Sequence, residues 1–146
     1  MRLNGSGRPD TVPAMRTLLA LAAAALLLGC APDRNTPLGE IPKLTSLEDV
    51  MDNQKTSADP QLAKVGQASF SDADFVAFGL TGERIQVTSA KIKDFSKGPE
   101  FDAFAVKLGE KAKALSTAAA AKDAAGARTA LTEMKATCKA CHSKFK

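Results

Sequence analysis

The stretch Asp123–Lys146, DAAGARTALTEMKATCKACHSKFK, decides the architecture of this 146-residue chain. Its apolar positions Ala127, Leu131, Met134, Cys138, Cys141 and Phe145 step alternately by four and three residues, the spacing of a helix that faces the seam of a bundle. Asp123 stands where an N-cap acceptor is expected. The last nine residues hold two cysteines three apart, a histidine directly after the second, and no other histidine occurs in the chain. Helical residues advance by about 100° each, so Cys141 falls about 60° to one side of Cys138 and His142 about 40° to the other. Two sulfurs and an imidazole therefore leave one face of one helix together.

Cys-x-x-Cys-His in that order is the attachment motif of a c-type haem. The thiols add to the two vinyl groups, and the imidazole becomes the proximal iron ligand. Other readings use the residues less completely. A tetrahedral zinc site wants four ligands, and the only other Cys or His is Cys30. A thioredoxin-like pair belongs beside a βαβ pattern, which this sequence lacks. A plain disulfide is possible in an exported protein but gives His142 no role. The expectation is one covalently attached haem c, with its iron, on Cys138 and Cys141, and His142 as proximal axial ligand.

The other end of the chain points to export. Leu18–Leu28, LLALAAAALLL, follows Arg16 and precedes Gly29-Cys30. The run is shorter than the roughly 20 apolar residues of a membrane span and fits the apolar core of a secretory signal, about 7–15 residues behind a positive charge. Leu27-Leu28-Gly29-Cys30 resembles a bacterial lipoprotein box, which implies a signal over residues 1–29 and lipidation of Cys30; an ordinary signal cut slightly downstream is the alternative. Met15 opens a compact signal by itself and is a candidate true start. This division gives Cys30 to lipid and Cys138 and Cys141 to haem. Ala31, rather than aspartate, after the lipidated cysteine leans toward the outer membrane over the inner one.

Without the signal, residues 30–146 carry 17 basic and 15 acidic side chains, and two haem propionates would bring the balance near zero. The basic character of the whole chain is no argument for nucleic acid. One domain is expected. Residues 30–43, with Pro32, Pro37, Gly39 and Pro42, read as a lipidated N-terminus and flexible tether, and residues 44–146 as the folded domain.

That domain reads as four helices. The first starts near Thr45, with Thr45 and Glu48 as a capping-box pattern and a stripe of Leu47, Met51, Ala58, Leu62 and Val65; Pro60 should kink or restart it, with Asp59 as the new cap. The second starts near Ser71, with Asp74 three residues on, and carries Phe75, Phe78, Ile85, Ile92 and Phe95; Gly82 weakens its middle. Gly98-Pro99 restarts the chain into a third helix with Phe101, Phe104, Leu108, Ala112 and Leu115. The fourth is Asp123 onward. Short connections favour antiparallel neighbours, hence an all-α, up-down-up-down four-helix bundle with haem near the C-terminal end of helix 4.

A CxxCH motif in the last helix, followed after two residues by an aromatic and then a basic residue (Phe145, Lys146), resembles the cytochrome c′ family, the class II c-type cytochromes, over about residues 44–146. The resemblance implies electron transfer in the periplasm or at the membrane, or binding of small gases such as nitric oxide and carbon monoxide. It also implies a homodimer through the first two helices. Low-spin members carry an axial methionine on the first helix, and high-spin members an apolar residue that does not coordinate.

In an antiparallel bundle the opening turns of helix 1 lie level with the closing turns of helix 4, so Met51 is the candidate distal ligand opposite His142. A methionine on an apolar stripe is otherwise core filler. Leu47 and Val50 are its apolar rivals, Met134 shares a helix with His142, and Lys55 ranks last. Leu47, Phe145 and Lys146 are candidates for the haem pocket.

The leading expectation is a monohaem electron carrier with redox-protein partners in the periplasm, held to the membrane by lipid. The alternative is a five-coordinate gas-binding protein in which Met51 does not coordinate, and a third is a small structural lipoprotein with a disulfide and no haem. No catalytic set is available once His142 is bound to iron, so the chain is not expected to be an enzyme.

Overall fold

A computed structural model describes residues 36–146; the signal, Met15, Cys30 and the start of the tether lie outside them. Among the described residues there are four long helices and no strand: α1 Leu47–Leu62, α2 Asp72–Ile92, α3 Pro99–Ala120 and α4 Ala124–Phe145. Short 3-10 segments precede α1 (Leu38–Lys43) and follow α1 (Ala63–Gly66) and α2 (Lys93–Phe95).

The helix ends follow local chemistry. Ser71 and Asp74 form the expected capping box of α2. Hydrogen bonds from Lys64 Nζ (2.6 Å) and from the Ser71 backbone N–H and hydroxyl hold the Asp74 carboxyl down at about 2. Gly98, at φ 114°, turns the chain into α3, with Pro99 in its first turn. Asp123 caps α4, its Oδ1 accepting from the Ala125 and Gly126 backbone N–H groups at 3.1 and 3.0 Å.

At α1 the expectation is off by one residue. Ser46, not Thr45, is the N-cap, its hydroxyl accepting from the Asp49 backbone N–H at 3.1 Å. The same hydroxyl-to-acid spacing occurs at both positions. Pro60 does not restart the helix either. The helix runs through it and ends two residues later, passing into a 3-10 segment.

Side-chain pairings show the helices running antiparallel. Between α1 and α2, Asn53 Oδ1 accepts from Arg84 Nη1 (3.1 Å), Gln54 Nε2 donates to Thr88 Oγ1 (3.1 Å), and Ser57 meets Thr81 (3.3 Å). Between α2 and α3, Gln86 donates to Ser116 Oγ, and Gly82 stands against Ser116 while Ser89, later in α2, stands against Gly109, earlier in α3. Between α3 and α4, Lys144 pairs with Glu100 and Lys111 with Glu133. Each helix packs on the next, and α2 lies diagonal to α4.

Gly82 has a purpose that helix propensity does not reveal. A Cβ there would stand 2.7 Å from the Ala112 carbonyl oxygen and 2.2 Å from Ser116 Oγ, whereas one at Gly79 would meet nothing within 4 Å. Close packing of α2 on α3 depends on the missing side chain. Gly82→Ala should therefore lower stability, because overpacking of about 1–3 kcal/mol exceeds the roughly 1 kcal/mol of helix propensity gained. Gly79→Ala should raise it; thermal melts of the two variants moving the same way would refute this account.

The core is divided. A larger cluster centres on Phe78, Ile85, Leu108, Leu115, Leu131 and Met134, contributed by α2, α3 and α4, with Ala58 from α1. A smaller one joins Val50, Ile92, Phe101 and Ala105. Phe70, Phe75 and Phe78 meet edge to face, with centroids 4.9–6.1 Å apart, a preferred arrangement for aromatic rings.

The described part of the tether is not loose. Ile41 is fully buried. The Thr36 carbonyl accepts from Arg84 Nη1 at 2.5 Å, and its hydroxyl from Asn53 Nδ2 at 3.2 Å. Residues 36–43 thus belong to the folded body, because one large apolar side chain among the prolines finds a place in the core.

Candidate haem site

A cavity of about 720 Å³ opens where α1 and α4 stand apart, bounded behind by α2 and α3. Its walls draw on both core clusters: Ile85, Leu108 and Met134 from the larger, Ile92, Phe101 and Ala105 from the smaller. The size falls within the range of about 300–1,000 Å³ for small-molecule sites, and the mostly apolar walls suit a flat hydrophobic macrocycle.

All the candidates named from the sequence within the described residues meet at this cavity, Val50 excepted. Leu47 and Met51 line it from α1; Cys138, Cys141, His142, Phe145 and Lys146 line it from α4 and the residue after it. Lys55 and Met134 line it too. Val50 does not: it is fully buried in the smaller cluster. That removes one rival of Met51 and leaves Leu47. Cys30 lies outside the described residues.

The two thiols are unbridged. Burial pushes the Cys138 thiol up to about 11, with the neighbouring Cys141 and Asp59 adding to the rise. Burial also raises Cys141, against the pull of Lys97. Both sulfurs are thus neutral near pH 7. Among the described residues no group of three or more His, Cys, Asp and Glu is placed to hold a metal ion. Two neutral thiols and an imidazole at one apolar cavity are the groups that a covalently bound haem uses, the thiols to bond its vinyl groups and the imidazole to hold its iron.

The end of α4 is held firmly. The Phe145 ring meets Phe101 and Phe104 edge to face, at 5.2 and 6.2 Å. Lys97 Nζ donates to the Phe145 carbonyl at 3.4 Å, and Lys144 pairs with Glu100. His142, one turn before Lys146, is thereby placed from both sides. The charged rim is uneven: Glu48, Asp52, Lys55 and Asp59 come from α1, Lys97 and Lys146 from the opposite side.

A family model described as cytochrome c′ matches residues 43–146. The chain belongs to the cytochrome c′ family. It is a monohaem c-type cytochrome, with haem c and its iron covalently attached. Among curated proteins, cytochrome c′ of Pararhodospirillum photometricum is 47% identical over 62 residues, covering 42% of this chain and 50% of that relative. The chain thus matches half the length of that cytochrome c′. No solved structure matches.

Some site residues were not singled out from the sequence. Gln54 is buried on the cavity wall, held by Thr88, 34 residues away; a polar residue three positions after Met51 was the only sign of it. Lys97 enters from the connection between α2 and α3, where nothing in the local sequence marks it.

Proposed function

We propose that this cytochrome is a single-haem electron carrier of the cell envelope, with thioether bonds to Cys138 and Cys141 and its iron held between His142 and Met51. The observation that supports this reading most is the place of Met51, on the α1 wall of the same cavity that His142 lines from α4. When bound, the haem supplies a one-electron couple, and a methionine ligand favours the ferrous state and raises its potential. Two protein ligands leave the iron no open position for substrate, so the protein is a carrier rather than an enzyme.

The chain's own residues would support that task by rigidity. Ile85, Ile92, Phe101, Ala105 and Leu108 form an apolar wall that keeps water from the ring. Phe101, Lys97 and Glu100 immobilise the last turn of α4. Cys30 carries the lipid that keeps the domain in the periplasm at the membrane, and redox proteins are its partners.

A second reading rests on Leu47, which also lines the cavity. If Leu47 lies over the iron, the centre is five-coordinate and binds nitric oxide or carbon monoxide. The optical spectrum separates the two. The carrier shows low-spin ferrous bands and, when oxidised, a methionine–iron charge-transfer band; a high-spin spectrum with rapid carbon monoxide binding would replace it by the gas binder.

A further inference from the structure

The outer face of α2 shows two large apolar side chains to solvent. Val76 is 64% exposed and Leu80 61%, one helical turn apart, and Ala73 and Ala90 are exposed on the same side. Arg84, which donates to the Thr36 carbonyl, is four residues beyond Leu80. At about 1.5 Å per residue, Arg84 stands roughly 6 Å along the helix from Leu80 and 12 Å from Val76. Thr36 is the sixth residue after Cys30, at most about 20 Å away along fully extended chain.

We propose that Val76 and Leu80 rest on the lipid surface to which Cys30 tethers the domain. The inference rests on the lipid-anchored reading of Cys30. A lipid on that residue lies within about 20 Å of Thr36, so the α2 face beside Thr36 is among the surfaces brought nearest the bilayer. Two aliphatic side chains alone would bind a membrane weakly. An anchored domain meets the same surface intramolecularly, at a high effective concentration.

A second copy of the chain fits this face less well. A stable interface buries roughly 800 Å² per partner, and two aliphatic residues with two alanines make a smaller patch. The lipid contact also has a functional result. Because α2 is diagonal to α4, the helix carrying Lys139 and His142 is turned toward the aqueous side, where soluble partners arrive.

The test uses lipidated holoprotein in vesicles of phosphatidylethanolamine and phosphatidylglycerol. With the native cysteines taken by lipid and haem, a nitroxide can be placed at Leu80→Cys or, on the exposed side of α4 away from the haem motif, at Thr132→Cys. The Leu80 label should collide with oxygen more often than with an aqueous nickel chelate, and the Thr132 label should do the reverse. Adding Val76→Asp should shift the Leu80 label toward the chelate. Equal chelate access at both labels would overturn the proposal, as would dipolar coupling between Leu80 labels on two copies. The mass of the N-terminal peptide separates the causes. If lipid is present and the label is in water, this contact alone is refuted; if Cys30 is unmodified, the anchored reading falls and the contact with it.

Discussion

Met51→Ala should turn a closed haem into one that binds carbon monoxide readily. If Met51 occupies the sixth position in all but about 1% of molecules, it depresses the apparent affinity for an added ligand roughly 100-fold. Removing it should restore at least that factor and abolish the methionine–iron charge-transfer band. The potential should fall, since the ligand that favours ferrous iron is gone. The bundle should persist, because Met51 is only partly buried while Phe78, Ile85, Leu115 and Leu131 are left untouched. Leu47→Ala is the control and should leave the spectrum in place. Stopped-flow carbon monoxide binding decides the matter: if Met51→Ala changes neither rate nor spectrum while Leu47→Ala changes both, the gas-binding reading replaces the carrier.

A second large effect is expected when the haem cannot attach. Without haem, Ile85, Ile92, Phe101, Ala105 and Leu108 would face an unfilled cavity of about 720 Å³ and lose the packing contacts that hold a core together. Domains have only about 5–15 kcal/mol of stability in total. The Cys138→Ala/Cys141→Ala variant, purified without haem, should therefore not keep the holoprotein's packing. It should retain helix but bind a hydrophobic dye, lose amide dispersion in NMR spectra and melt without a sharp transition. A cooperative melt with full dispersion would mean that protein contacts alone hold α1 and α4 apart.

Much of this site could be read from the chain because its chemistry is local. CxxCH occupies one helical turn and a half, and Ser71, Gly98-Pro99 and Asp123 mark helix ends through groups at most three residues away. The seam spacing then placed Leu47, Met51, Cys138, Cys141 and Phe145 on inward faces. What was not legible depends on distant partners. Gly82 looked like a weak point of α2, yet its lack of a side chain is required by Ala112 and Ser116, thirty or more residues later. Asn53 and Gln54 are polar and were passed over, although Arg84 and Thr88 bury them. Ile41 is a single apolar residue in a run of turn formers, and only the folded body shows that it is core. Thr45 and Ser46 offer equivalent caps one residue apart, and local pattern does not choose between them.

The polar seam between α1 and α2 has a consequence for the metal. Apolar surfaces can slide past one another at modest cost, but Asn53–Arg84, Gln54–Thr88 and Ser57–Thr81 are matched one to one, so a slip of one turn would break all three at once. Polar pairs of this kind fix the register of helices against each other. A slip of four residues along α1 would bring Leu47 or Lys55 to the level Met51 now holds. The hydrogen bonds on the side of α1 away from α4 thus act as a vernier. If the iron lies between His142 and Met51 as proposed, they decide whether a sulfur, a hydrocarbon or an amine is offered to it.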